Sequence, residues 1–259
     1  METTRESAAQ TLAWWHQVAL KALTGQRPVG LRYWLRWRQL LGCMTRQVDV
    51  LFPDPRRTRS TGRQLRDPAL RDCLGDTELG VWALDADTLN YLGARLRREQ
   101  PRVILECGCG ASTILLSLYA RGCGTGEVSI ISLEQSSDYL ASVRSRLAEA
   151  GLDDPVHLLH VPLNAVDQYQ LPGEALAGIL GKRTLDWIVI DAPSGRPACR
   201  ISTLPMLAPY SRTGTRWFLD DASRDGELDI LRNWARQPEF GVEGIVPIGK
   251  GLATGVIRK

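Results

Sequence analysis

Residues Val103 to Leu118 read VILECGCGASTILLSL: a short β-rich run that stops in Glu106-Cys107-Gly108-Cys109-Gly110-Ala111-Ser112 and passes without a linker into a helical stretch. Glycines at such a strand-to-helix junction let the chain turn sharply and let a ligand approach the backbone with no Cβ in the way. In an open parallel sheet the crevice at the carboxyl ends of the strands is where ligands sit, so this turn predicts a ligand site. A dinucleotide fold wants a third glycine, G-x-G-x-x-G, to seat a pyrophosphate at the helix start. Position 113 is Thr, and Glu106 precedes the turn. A carboxylate there favours a cation over a pyrophosphate, which argues against a nicotinamide-dependent oxidoreductase.

The rest of the body repeats the alternation of short apolar β-rich runs with helical stretches: VSIISLE then SDYLASVRSRLAEAG, VHLLHVPL then a variable stretch, DWIVID then ISTLPMLAPY, and a fifth strand at Arg216 to Leu219 before a helix from Asp225 to Arg236. An amphipathic helix from Asp85 to Arg98, stopped by Gln100 and Pro101, precedes the first strand. The alternation predicts an α/β domain with a largely parallel sheet and helices on both faces. Two strand-like runs around Gly249-Lys250-Gly251 predict a terminal hairpin, so that the last strand is antiparallel.

Taken in order, these segments resemble class I S-adenosylmethionine-dependent methyltransferases, whose motif I is similar to E-x-G-x-G-x-S at Glu106 to Ser112. VSIISLE looks like the second strand with its terminal acidic residue, Glu134; WIVIDAPSG resembles the fourth strand and its D-x-P-x-G loop; WFLDDASR resembles the fifth. The resemblance covers Trp82 to Lys259 and implies a seven-stranded Rossmann-like sheet with the last strand antiparallel, and S-adenosyl-L-methionine as cofactor. It assigns Glu106, Gly108, Gly110 and Ser112 to the methionine moiety and the approach to the ribose, Glu134 to the ribose hydroxyls, Gln135 to the flank of the adenine, and Asp191 to the neighbourhood of the methyl donor. Leu163 and Asn164 follow the third strand near the adenine, where the family often has Asp.

Methyl transfer is an in-line displacement on an activated carbon, so positioning supplies much of the catalysis; a hydroxyl acceptor also needs a general base or a metal. Asp191, Asp220 and Asp221 stand at the strand ends, and Asp191 and Asp221 are the catalytic candidates. The family branches that use a divalent ion place Asp after strand four and Asp-Asn after strand five. Asp-Asp replaces the second pair here, so a divalent metal is allowed but not favoured and no metal ligand is assigned. Arg196, Arg200 and Arg224, in the two loops above the crevice, are either acceptor grips or solvated surface. His157 and His160, on or near the third strand, read as structural, with a reach into the site open to His160 at the strand end; His16 sits on an arm helix and has no partner in the pattern.

Residues 1–66 carry 12 Lys and Arg against 4 Asp and Glu, leaving 20 against 25 in the remainder. A basic arm thus faces an acidic body. TLAWWHQVALKAL at 11–23 and VGLRYWLRWRQLL at 29–41 predict two short arm helices, and PDPRRTRSTGRQLR at 53–66 a linker. The expected division is a Trp- and Arg-rich helical extension at 1–75 and a methyltransferase domain at 76–259. Trp14, Trp15, Trp34 and Trp37 favour packing on the body over a membrane surface or nucleic acid, which leaves RNA methylation guided by the arm as an alternative that is not favoured. No apolar run reaches the length of a transmembrane segment, and the start lacks the order of a signal peptide, so the expectation is a cytoplasmic enzyme. Six scattered cysteines predict reduced thiols, and Cys107 with Cys109 lacks the second pair of a zinc site. The expected reaction is O-methylation of a small molecule or sugar, with a non-catalytic cofactor-binding module as the other alternative. Oligomeric state is not encoded in any motif.

Overall fold

The computed structural model describes residues 64–124 and 126–259. The two arm helices and the linker as far as residue 63 lie outside those residues. Within them the elements run α1 (Pro68–Leu74), α2 (Ala86–Glu99), β1 (Val103–Cys107), α3 (Ala111–Cys123), β2 (Ser129–Glu134), α4 (Ser137–Glu149), β3 (Val156–His160), α5 (Gly173–Leu180), β4 (Leu185–Ile190), α6 (Thr203–Leu207), β5 (Ser211–Leu219), α7 (Asp225–Ala235), β6 (Phe240–Val246) and β7 (Leu252–Ile257). The sheet has seven strands in the order β3-β2-β1-β4-β5-β7-β6. Strands β1 to β5 pair in parallel, and β7 is antiparallel to both β5 and β6. This is the Rossmann-like architecture expected from the strand order of the sequence.

The two-residue period of a strand divides the core in two. Ile104, Ile130, Trp187 and Phe218 point to one face, where they meet Leu70 and Leu74 of α1, Leu92 of α2 and Leu116 of α3. Their neighbours Leu105, Ile131, Ile188 and Trp217 point to the other and pack with Leu176 of α5, Leu207 of α6 and Trp234 of α7. Burial on both faces is why these strands read as unbroken apolar runs. Aromatic pairs reinforce each layer: Trp187 tilts against Phe218 at 4.7 Å, and Trp217 meets Trp234 edge-on at 5.4 Å. The edge strand β3 is only half-buried, so His157 and His160 are exposed.

Local signals set the ends of elements. Asp85 caps α2 by accepting from the Thr88 amide at 2.9 Å, and Gln100 closes it in a left-handed conformation. Strand β5 begins five residues before the run expected at Arg216, because Ser211 to Thr215 is polar and pairs with β4 only at Leu185 before a register shift. Among the described residues no helix is long and apolar enough to cross a membrane, and the five described cysteines are free thiols.

Candidate functional site

Strand order reverses at β1, whose neighbours β2 and β4 lead away in opposite directions, and a crevice opens at the carboxyl ends there. It holds a cleft of about 1330 Å³. The β1 turn forms its floor. Gly108 has φ +89°, and a Cβ on it would stand 2.9 Å from the Ala192 Cβ; Gly110 has φ +145°, with the Tyr139 hydroxyl 2.8 Å from where a Cβ would be. Hydrogen bonds fix the turn to both walls: the Gly108 amide donates to the Leu133 carbonyl at 2.7 Å, and the Asp191 and Ala192 amides both donate to the Cys107 carbonyl at 3.0 and 2.9 Å.

Behind the turn, Glu106 is fully buried and accepts from the hydroxyls of Thr113 and Ser132, both at 2.5 Å. Burial pushes its carboxyl up to about 7 against the pull of hydrogen bonds from Ser112, Ser132 and Thr113. Thr113 Oγ1 also accepts from the Gly110 amide, so Glu106 braces the glycine turn through Thr113. At the end of β2, the two oxygens of Glu134 accept from the amides of Cys109 (3.2 Å) and Ser136 (2.8 Å). Gln135 reaches across to Ser194, in the loop after β4.

The other end of the cleft is a buried charge cluster. The Arg200 side chain, 5% exposed, donates from Nε to the Pro193 carbonyl (3.2 Å) and from Nη1 to the Asp220 carbonyl (3.3 Å). Its Nη2 lies 3.5 Å from both Asp191 Oδ1 and Asp221 Oδ2, and its Nη1 lies 3.9 Å from Glu227 Oε1. Asp221, held in a left-handed conformation at φ 59°, also meets Arg224 Nη1 at 2.7 Å and Lys250 Nζ at 3.6 Å. Desolvation raises the Asp191 carboxyl to about 7, with Arg200 pulling it down and Asp221 pushing it up. Desolvation and the charges of Asp191 and Asp221 raise Asp220 well above its ordinary value. In all, seven carboxylate side chains line the cleft against four cationic ones, a balance suited to a cationic ligand and unsuited to a pyrophosphate.

A methyltransferase-domain family model matches residues 105–222, from within β1 to the turn after β5. The chain carries a class I S-adenosylmethionine-dependent methyltransferase domain. Solved structures with the same fold include an O-methyltransferase from Bacillus cereus in complex with SAH (19% identity, 74% of this chain and 92% of that one, TM-score 0.53). Two others are TomG, an O-methyltransferase of Streptomyces achromogenes in complex with SAM (20%, 75% and 91%, TM-score 0.55), and an SAH-bound methyltransferase from Podospora anserina (17%, 76% and 91%, TM-score 0.56). Likeness at these identities speaks for the fold. No curated protein matches the sequence.

Of the positions singled out in the methyltransferase's sequence, Gly108, Glu134, Gln135, Asp191 and Asp221 line the cleft together, while Glu106, Gly110 and Ser112 do not. Leu163 and Asn164 are also outside its lining; Asn164 instead accepts from the Val166 and Gln168 amides and shapes its own loop. His160 Nε2 lies 3.1 Å from the Gln135 carbonyl oxygen, and His160 is not part of the cleft lining. Sequence reasoning did not single out Tyr139, Trp82 and Lys250, which line the cleft from α4, from the segment before α2 and from the β6–β7 hairpin. The unpaired aromatic in WALD, with no helical period to place it in a core, is the one signal that marked Trp82.

One oxygen each from Asp191, Asp220 and Asp221 lies within 4.8 Å of the others, close enough in principle for a hard cation. The guanidinium of Arg200 is already between two of them. Unit charges 4 Å apart interact by about 4 kcal/mol at an effective dielectric of 20, and a dication facing a guanidinium doubles that cost. The residues as arranged do not fit a divalent ion.

Proposed function

We propose that the protein methylates a hydroxyl of a small molecule or sugar, with Asp191 as general base. The observation that carries this reading is the place of Asp191: its amide is bonded to the Cys107 carbonyl at the glycine turn, and its carboxyl, raised to about 7, stands in the cleft. A base matched to neutral pH beside the methyl-donor turn is what a hydroxyl acceptor requires and what an already nucleophilic acceptor does not. S-adenosylmethionine supplies, when bound, a methyl group activated by a sulfonium. Gly108 gives the backbone access to it, Glu134 is positioned to accept from ribose hydroxyls, and Gln135 flanks the adenine. Glu106, Gly110 and Ser112 support these contacts from behind, by fixing the turn. Asp191 takes the acceptor's hydroxyl proton as the oxygen attacks, and Asp221 stabilises the charge around it through Arg200. The names of the B. cereus and S. achromogenes enzymes, both O-methyltransferases, agree with this acceptor class.

In this reading residues 76–259 form the catalytic domain of a cytoplasmic enzyme, and residues 1–75 a basic extension anchored to it through Leu70 and Leu74 of α1. Incubating the full chain with methyl-labelled S-adenosylmethionine and a panel of phenols, catechols and sugars tests the reaction. Label in an alkali-stable ether supports it. Transfer to amines, thiols or RNA alone would overturn it.

A further inference from the structure

We infer that the Arg200 guanidinium is the resident cation of the cleft, occupying the place between Asp191 and Asp221 and shutting a divalent metal ion out.

Three observations converge. First, Arg200 is fixed independently of the carboxylates: the Pro193 and Asp220 carbonyls, on the loops after β4 and β5, accept from Nε and Nη1 and leave Nη2 aimed between Asp191 and Asp221. A planar guanidinium presents donors in a rigid fork, so two main-chain bonds determine where the third nitrogen stands. Second, there is little room for it to leave, since its side chain is 5% exposed and the neighbouring Cys199 thiol donates to the same Pro193 carbonyl at 3.2 Å. Third, part of the remaining negative charge is already countered, because Arg224 and Lys250 both approach Asp221. A divalent ion would add two charges to a cluster whose three cations already face Asp191, Asp220, Asp221 and Glu227.

The carboxylate oxygens themselves remain competent as ligands. Asp220 Oδ1 and Asp221 Oδ1 are buried without a hydrogen-bond partner, Lys250 Nζ standing 3.6 Å from the latter, and the Arg200 guanidinium is the cation that bridges Asp191 and Asp221. Removing Arg200 should therefore uncover metal affinity that the natural chain lacks.

The inference concerns the same cleft as the proposed reaction but is read without cofactor or acceptor, so metal binding and methyl transfer fail separately. Manganese is titrated into the full chain and free Mn²⁺ is followed by electron paramagnetic resonance, with circular dichroism recording the fold. Wild type is expected to leave the free Mn²⁺ signal undiminished, while folded Arg200→Met is expected to take up one ion at least about tenfold more tightly, lost again in Arg200→Met/Asp221→Asn. Stoichiometric uptake by wild type that disappears in Asp221→Asn would overturn the inference, and so would folded Arg200→Met that binds no Mn²⁺. If Arg200→Met does not fold, Arg200→Gln takes its place in the same titration, and wild-type uptake lost in Asp221→Asn still overturns the inference.

Discussion

Gln135 and Ser194 are joined by two hydrogen bonds across the cleft: the Ser194 amide donates to Gln135 Oε1 at 2.8 Å, and Gln135 Nε2 donates to the Ser194 carbonyl at 3.3 Å. They tie the loop after β2 to the loop after β4, the two walls between which the donor is proposed to lie. Gln135 is half-buried and Ser194 exposed, so the pair contributes little to folding. Gln135→Ala should weaken S-adenosylmethionine binding by about tenfold, the worth of one to two such bonds, with the melting temperature nearly unchanged. Calorimetric titration checks this; an unaltered dissociation constant would remove Gln135 from the site.

Glu106 makes stability depend on pH. Its carboxyl sits at about 7 in the fold because burial disfavours the charge, against an ordinary value of 4.5. A raised folded value means the native state binds more protons between those limits, so the contribution is complete below about 4.5 and is lost as pH rises through about 7. Glu106→Gln cannot ionise and keeps an oxygen for Thr113 and Ser132. It should be more stable than wild type at pH 8, by up to about 3 kcal/mol, with the gain shrinking toward pH 5. Thermal melts across this range test it, and a pH-independent difference would show that Glu106 ionises freely.

The contrast between Glu106 and Arg200 explains how much of this could be read from sequence. The strand runs and the glycine turn were legible because their causes are local: two-sided burial writes VILE and WIVI as apolar runs, and positive φ at Gly108 and Gly110 demands glycine. Glu106 was legible as important, but a sequence does not say which side of a turn a carboxylate takes. Its partner Ser132 lies on the neighbouring strand, 26 positions on, and turns it inward. Arg200 sits in a single 3-10 turn, Cys199–Ser202, too short for a sequence period to show which side chain turns inward. It is buried only because β4, β5 and α7 bring Asp191, Asp221 and Glu227 around it, a convergence set by tertiary structure.

Asp191 as base fixes the sign of the pH dependence of turnover. A base acts when deprotonated, so kcat/KM should rise with pH to a plateau, with a midpoint near 7. Asp191→Asn should lower kcat by about 10²- to 10⁴-fold and flatten that limb, while donor affinity changes far less. A mutant that retains the limb would assign the titration to another group.

Trp82 is 86% exposed at the mouth of the cleft, next to Val81, whose carbonyl accepts from Lys250 Nζ at 3.0 Å. Lys250 also faces Asp221, so this segment is tied to the charge cluster while its indole stands free of the core. An exposed indole lining a cleft is suited to stacking on a planar acceptor or on the apolar face of a sugar. Such a contact is made alike in the ground and transition states, and its loss should appear in KM rather than kcat. Trp82→Ala should raise the acceptor KM about tenfold, the worth of a lost aromatic contact, with kcat and donor affinity held, and Trp82→Phe should recover part of it. Initial rates over a range of acceptor concentrations separate these parameters; a fall in kcat at unchanged KM would place Trp82 in closure of the site instead of acceptor binding.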